Sequence, residues 1–266
     1  MIDLHLHLLP RIDDGASSSK VSEEMLAIAS KLGFTRLVAT PHLDGPLSPE
    51  YRRQAETLAA ALRPIGRSHK VEVDQGYEIQ LDPDLARRLA AGAPVSLAGS
   101  RTVLVELPFN GWPLHAEQSL FELQAAGFRP LLAHPERYAA IQADVEKAVQ
   151  LAERGVLLQV TFSSLTGLFG RSGQRIAEEL LGRNLVTVLA SDAHGAGQRL
   201  LSVEGGLKRA RAVVGEARLD QLVRANPEAL LMDRPLPEPL SVLPAKATSS
   251  GRFKGFASKF RTSTGF

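Results

Sequence analysis

Apolar and polar residues alternate over residues 2–7, with Ile2, Leu4 and Leu6 set against Asp3, His5 and His7. That is the period of a β-strand, and it puts both imidazoles and Asp3 on one face. Two histidines two apart on a strand can share a metal ion, although such pairs are also common on plain surfaces. A turn-rich LPRIDDGA follows, and the period then lengthens. In SSSKVSEEMLAIASKLG the residues Met25, Leu26, Ile28, Ala29 and Leu32 are helically spaced, Glu23 and Glu24 lie in an early turn, and Gly33 is a stop signal. TRLVATPH is short, apolar and β-branched, so it reads as a buried strand ending at His42. PEYRRQAETLAAALRPIG reads as a helix with Pro49 near its start.

The rhythm continues. HKVEVDQGYEI is a strand ending at Glu78, PDLARRLAAG a helix, RTVLVELP a strand ending at Glu106, and LHAEQSLFELQAAG a helix. RPLLAHPER is a strand ending at His134, YAAIQADVEKAVQLAERG a helix, GVLLQVTF a strand, and RSGQRIAEELLGRN a helix. LVTVLASDAH is the last strand, ending at Asp192 and His194, and no element is assigned from there to residue 233. Seven strands alternating with helices imply parallel pairing through crossover helices. That number of units favours a closed or nearly closed barrel, a distorted (β/α)7 fold, over an open sheet.

In such barrels the working residues stand at the C-terminal strand ends. Six of the seven expected strands end in His, Glu or Asp: His5 with His7, His42, Glu78, Glu106, His134, and Asp192 with His194. Any one of these is more often a capped or solvated polar group than a ligand. Their conjunction on one rim is the signal, and it points to a metal site.

Composition narrows the chemistry. At 266 residues, 44% hydrophobic and 23% charged, the chain is long enough for one large core. From about Pro235 the rhythm gives way to PLPEPLSVLP and then to Ser, Thr, Gly and basic residues, so a domain of residues 1–233 and a basic, flexible tail of residues 234–266 are expected. The tail holds six Lys/Arg against one acid, which leaves the body mildly acidic despite a formal charge of +2. A mildly acidic body with 5% aromatic residues offers neither a basic track nor stacking platforms for nucleic acid. The absence of cysteine excludes disulfides, thiolate zinc sites and phosphatase chemistry through a Cys nucleophile. No basic segment precedes an apolar core at the start, and no apolar run approaches the roughly 18 residues of a membrane span, so a cytoplasmic location is expected.

Imidazoles and carboxylates without thiols suit Mn, Fe or Zn better than Mg or Ca, with carboxylates bridging ions and histidines capping them. Two or three such ions close together generate hydroxide at neutral pH and hold phosphoryl oxygens without a protein nucleophile.

The segments MIDLHLHLLPRIDDGA, VATPH, GYEI, VELP, LAHPERY, SSLTG and ASDAHG run in this order from residue 1 to about residue 197. Together they resemble the polymerase-and-histidinol-phosphatase (PHP) superfamily, and within it the manganese-dependent protein tyrosine phosphatases of bacterial capsule and exopolysaccharide operons. HPERY with IDDGA is far more specific to that group than the HxH pair. The resemblance implies a TIM-like PHP barrel holding two or three Mn²⁺ ions. It also implies a phosphotyrosine protein as substrate, with a membrane-associated tyrosine kinase of capsular or exopolysaccharide synthesis foremost. By the same resemblance, His5, His7, Glu78 and Asp192 serve one ion, Glu78, Glu106 and His134 a second, and Asp14, His42 and His194 a third. Arg137 and Arg199 then hold phosphate, a task that suits the bidentate guanidinium fork. The chain departs from many relatives at Leu43, where they carry His, and at Thr161 and Phe162, where Asn and a small residue are frequent. Leu6 replaces a Ser, with its side chain expected to point away from the metals.

Two other readings stay open: a PHP phosphoesterase acting on histidinol phosphate or nucleic-acid ends, and a non-catalytic module binding phosphotyrosine or a kinase, which would be expected to have lost ligands. Phe109 and Trp112 in LPFNGWP either line the substrate rim or pack down on the barrel. His115 reads as a surface or capping residue, His69 as a solvent-facing strand start, and Asp13 as a support for the ligands or simply part of its turn. In the tail, Phe253, Phe256 and Phe260 are helically spaced around Lys254 and Lys259, which suits an anionic membrane or a partner; a disordered solubilising tail is the plainer reading. The sequence sets no oligomeric state.

Overall fold

The computed structural model describes residues 1–240; the readings made on residues 241–266, those of Phe253, Phe256 and Phe260 among them, lie outside the described residues. The seven expected strands form, two of them broken. They give β1 (Ile2–Leu6), β2 (Arg36–Ala39), β3 (His42–Leu43), β4 (Glu72–Gln75), β5 (Glu78–Gln80), β6 (Thr102–Glu106), β7 (Arg129–Leu132), β8 (Leu157–Thr161) and β9 (Val188–Ala190). The break between β2 and β3 falls at Pro41, which has no N–H for a ladder. The break between β4 and β5 falls at Gly76, where a Cβ would lie 2.7 Å from the Leu97 side chain.

Every pairing is parallel, β1–β2–β4 in one set and β3–β5–β6–β7–β8–β9 in the other. The broken strands join the two sets. On the far side Leu6 bridges Ala193, with the His7 N–H donating to Ala193 O and the Asp192 N–H to His5 O, each at 2.8 Å. A distorted (β/α)7 barrel results, curled rather than evenly closed.

That seam corrects the simple alternation expected of the first strand. The register of β1 against β2 shifts between Asp3 and Leu6. Ile2 and Leu4 pack inside the barrel with Val38, Leu104, Leu131 and Val188, whereas Leu6 joins the layer between strands and helices. Asp3 does not join the imidazoles: its buried carboxylate accepts from the N–H of Ser191 (3.1 Å) and of His5 (3.2 Å), lacing β1 to the end of β9.

The helix Ser19–Lys31 starts at Ser18, whose hydroxyl accepts from the Val21 N–H, and turns Met25, Leu26 and Ala29 inward. Pro49–Ser68 ends at His69, so that residue caps a helix rather than starting a strand, and its carbonyl accepts from Ser30 Oγ (2.6 Å). The helix expected over 138–155 is interrupted at Asp144, which is extended (φ −148°, ψ 96°) and accepts the Glu146 N–H, leaving Ala139–Ala143 and Glu146–Glu153.

The stretch after His194, to which periodicity assigns nothing, is helical. Val203–Val214 buries Val203, Gly206, Ala210 and Val214. Asn226–Leu231 pushes Leu230 and Leu231 in among Ile2, Leu4 and Leu104, closing the N-terminal end of the barrel. Residues 234–240 return along the body, where the Leu240 N–H donates to Gln221 Oε1 (3.0 Å) and Asn184 Nδ2 donates to Leu240 O (3.2 Å). Among the described residues, no helix is long and apolar enough to cross a membrane.

Candidate metal centre

At the C-terminal rim, the Nε2 atoms of His5 and His7 lie 3.4 Å apart. Glu78 Oε2 is 3.1 Å from the first and 3.2 Å from the second, and Asp192 Oδ1 is 3.4 Å and 3.6 Å from them. All four side chains are buried. Donors that each stand about 2.1 Å from one centre at near-tetrahedral angles are separated by about 3.4 Å, so the spacing suits the ligand set of a single ion.

Glu78 is shared. His42 Nδ1 lies 3.2 Å from Glu78 Oε2 and 3.3 Å from Glu106 Oε1. His134 Nε2 is 2.8 Å from Glu78 Oε1 but 3.9 Å from Glu106 Oε2. In a third group Asp14 Oδ1 is 3.6 Å from His42 Nε2 and 3.3 Å from His194 Nε2, with His7 alongside. Thus His42 stands between two groups and His7 between another two. A cavity of about 380 Å³ is lined by Asp14, His42, Glu78, Glu106, His134, Asp192 and His194 together with Arg137 and Arg199, and His5 and His7 reach it through Glu78 and Asp192. His134 and Asp192 take left-handed backbone, φ 33° and 49°, a strained conformation where strands end at the site.

Supporting residues orient the rings. His5 Nδ1 lies 2.9 Å from Gln159 Oε1, an atom that only accepts, so Nδ1 carries the hydrogen and Nε2 faces the centre. His7 Nδ1 is held in the same way by Asp13 Oδ2 at 2.7 Å. Asp13 also accepts the N–H of Gly15 (3.0 Å) and of His42 (3.1 Å), so it orients candidate donors and shapes its turn at once. Gln159 escapes sequence reasoning; its one signal is an amide in the middle of the apolar strand LLQVT.

Burial by itself would lower the pKa of His5, but the charges of Glu78 and Asp192 override it and hold it at about 10. Against the same burial, His7 is raised by its bonds to Asp13 and Glu78, and His42 is raised to about 9 by Glu106 and Glu78. Burial also opposes ionisation of Glu78 and Asp192, yet the His5 cation keeps both carboxyls below the usual range. His194 goes the other way, lowered to about 4 by burial and by the His7 charge. In the ion-free protein, protons therefore sit on His5 and His42 at neutral pH where cations would sit. The donor set, its spacing and its field all fit divalent ions.

Asp192 turns its other oxygen to the arginines: Oδ2 accepts from Arg137 Nη1 (2.7 Å) and lies 3.1 Å from Arg199 Nη1. Arg199 Nη1 also lies 2.6 Å from His194 Nδ1, which is 3.0 Å from Asp192 O, and His194 Nε2 faces Asp14. Phe109 lines the cavity, whereas Trp112 packs against the core with Lys147 Nζ 5.6 Å from its ring. His115 precedes the helix Ala116–Ala125, its Nε2 3.4 Å from Leu81 O. The departures fall behind the donors: Leu6 and Leu43 are core residues, the Thr161 N–H donates to buried Glu136 (3.0 Å), and Phe162 packs edge-on to Phe34.

A parallel barrel with imidazole and carboxylate donors at its C-terminal strand ends, and two arginines facing them, is the architecture of a metal-dependent hydrolase. The chain belongs to the family described as capsular polysaccharide synthesis, CpsB/CapC, whose profile matches residues 1–232. It is 33% identical over 236 residues to the tyrosine-protein phosphatase YwqE of Bacillus subtilis, covering 88% of this chain and 92% of that protein. It is 26% identical over 242 residues to the tyrosine-protein phosphatase CpsB of Streptococcus pneumoniae, covering 88% and 99%. Among solved structures, one from work on YwqE and CpsB, described as metal-dependent tyrosine phosphatases, superposes with a TM-score of 0.81 at 32% identity, over 92% of this chain and 100% of that one. The phosphotriesterase homology protein of Escherichia coli, at 12% identity and a TM-score of 0.55 over 86% and 96%, shares the fold.

Proposed function

We propose that this protein is a metal-dependent phosphatase of phosphotyrosyl proteins, working with two or three Mn²⁺ ions. The observation that carries the reading is the sharing of Glu78 between two donor groups, one of which Asp192 joins to a pair of arginines. A chain spanning 92% of a relative named tyrosine-protein phosphatase supports it. His5, His7, Glu78 and Asp192 would hold one ion, Glu78, Glu106 and His134 with His42 a second, and Asp14, His42 and His194 a third. Bound ions supply a water acidic enough to act as nucleophile at neutral pH and neutralise phosphoryl oxygens.

The chain's own part is orientation. Arg137 and Arg199 each hold Asp192 through Nη1 and line the cavity, where a phosphoryl oxygen would accept from their other N–H groups. Phe109, 41% exposed, offers its face to the phenyl ring of the substrate. Tyrosine leaves as a phenolate of parent pKa about 10, so no general acid from this chain is required. The complete donor set favours an enzyme over a module that only binds phosphotyrosine. The proposed substrate is a membrane-associated tyrosine kinase of capsule or exopolysaccharide synthesis, met by a cytoplasmic enzyme at the inner face of the membrane.

Hydrolysis of a phosphotyrosine peptide should cease on thorough chelation and return with Mn²⁺. Activity that survives chelation would overturn the metal assignment, and faster turnover of histidinol phosphate or of single-stranded DNA would overturn the substrate.

A further inference from the structure

We propose that Phe169 is a positioning residue for phosphate recognition: with Phe109 it clamps the Arg137 guanidinium, which then meets the phosphoryl group already oriented. The inference rests on the phosphatase reading and adds to it a residue outside the metal donors. Arg137 leaves the turn Pro135–Arg137, and its Cζ stands 4.5 Å from the centroid of the Phe109 ring and 4.2 Å from that of Phe169. The rings come from unrelated segments, the loop after β6 and the loop after the helical turn Phe162–Leu165. Arg199 Cζ is 5.2 Å from the same Phe169 ring, so one side chain touches both guanidinium groups.

The clamp is tied in place from behind. Glu136, the neighbour of Arg137, is buried and accepts from Ser164 Oγ (2.6 Å) and the Thr161 N–H (3.0 Å). One carboxylate thereby fastens the turn bearing Arg137 to the segment leading to Phe169. Among the described residues, the Arg137 side chain makes a single hydrogen bond, from Nη1 to Asp192 Oδ2, which leaves Nη2 and Nε for a ligand. An arginine held by further carboxylates would have those donors occupied. Ring faces attract the cation and restrict its rotamers without taking a single N–H, so the ordering cost is met before phosphate arrives.

The test is a double-mutant cycle on the full-length, Mn²⁺-loaded protein: Phe169→Leu and Phe169→Tyr, each alone and with Arg137→Ala. The readouts are kcat/KM for a phosphotyrosine peptide, the calorimetric Kd for inorganic phosphate, and metal content. Phe169→Leu should lower kcat/KM and weaken phosphate binding by about tenfold with metal content unchanged, and Phe169→Tyr should restore both to within about twofold. In the Arg137→Ala background Phe169→Leu should change neither by more than about threefold, the remainder belonging to Arg199. An equal factor in both backgrounds, a Phe169→Leu protein indistinguishable from the parent, or a Phe169→Tyr protein as impaired as Phe169→Leu would overturn the clamp. Should Phe169→Leu lose metal or melt early, Phe109→Leu repeats the cycle from the other face of the guanidinium, read by the Kd for inorganic phosphate alone because Phe109 also meets the ring of the peptide substrate; an equal factor in both Arg137 backgrounds would again overturn the clamp. A protein that binds Mn²⁺ and phosphate yet turns over no phosphotyrosine would remove the phosphatase reading, while the phosphate cycle would still decide the clamp.

Discussion

Asp3 and His5, two residues apart on β1, are both buried, and each binds its proton more tightly in the folded state than its ordinary pKa would give. Burial raises the Asp3 pKa from 3.8 to about 6, and the N–H groups of Ser191 and His5 offset only part of it. A folded-state value above the unfolded one means that stability is full below about pH 4 and is lost as pH rises to about 6, by on the order of 3 kcal/mol. Asp3→Asn stays neutral and keeps an oxygen for the Ser191 N–H. In metal-free protein its stability gain over the parent should grow from nothing near pH 4 to about 1–3 kcal/mol at pH 7, read by urea unfolding; a gain independent of pH would refute the burial argument. The same scale separates the proposed ligands from the proposed phosphate holders. His134→Ala should lose both metal and activity, whereas Arg137→Ala should keep its metal and lose about 10²–10³ in kcat/KM, checked by metal analysis beside phosphopeptide hydrolysis.

Elements meet one another through glycines set where a side chain cannot fit. At Gly15 a Cβ would collide with the His7 Cβ and carbonyl oxygen, so the IDDG turn can fold Asp13 onto His7 only with glycine there. Gly15→Ala should therefore leave the barrel folded but weaken Mn²⁺ binding by about 10–100-fold, since it displaces a ligand's partner; calorimetric titration reads this directly. At Gly206 a Cβ would lie 2.7 Å from Phe162 O, so Gly206→Ala should push the helix Val203–Val214 off the barrel and cost about 1–3 kcal/mol, with metal affinity unchanged in the folded protein. The two substitutions thus separate a turn that serves the ions from a helix that serves the core.

For the whole molecule, the ion-free centre is a store of protons. With His5 at about 10 and His42 at about 9, both imidazoles are charged at neutral pH, and an ion that takes their nitrogens must expel those protons. Mn²⁺ affinity should consequently rise with pH from 6 towards 9, and calorimetry in buffers of different ionisation enthalpy should show about one or more protons released per ion. The proposed ligands are gathered from across the chain and would bind metal only in the folded state, so saturation at about 100-fold above Kd should add about 2.7 kcal/mol, an increase in Tm of roughly 5–10 °C that chelator reverses.

The strand–helix rhythm and the rim of strand-end donors were legible in the amino-acid sequence because both are local. Period 2 and period 3.6 are set by neighbouring residues, and a parallel barrel sends every strand end to one rim whatever its details. The helix Val203–Val214 escaped because its buried face relies on Gly206, which packs against Phe162, and on Ala210, and the apolar signal of both is faint. Asp3 was misplaced because the register shift in β1 is imposed by its partner strand. Gln159 behind His5, the place of His42 between two donor groups, and the two rings around Arg137 were decided by the tertiary structure alone. Each joins segments remote in sequence, and only closure of the backbone brings such segments within the 3–5 Å at which hydrogen bonds, ligand sets and ring contacts act.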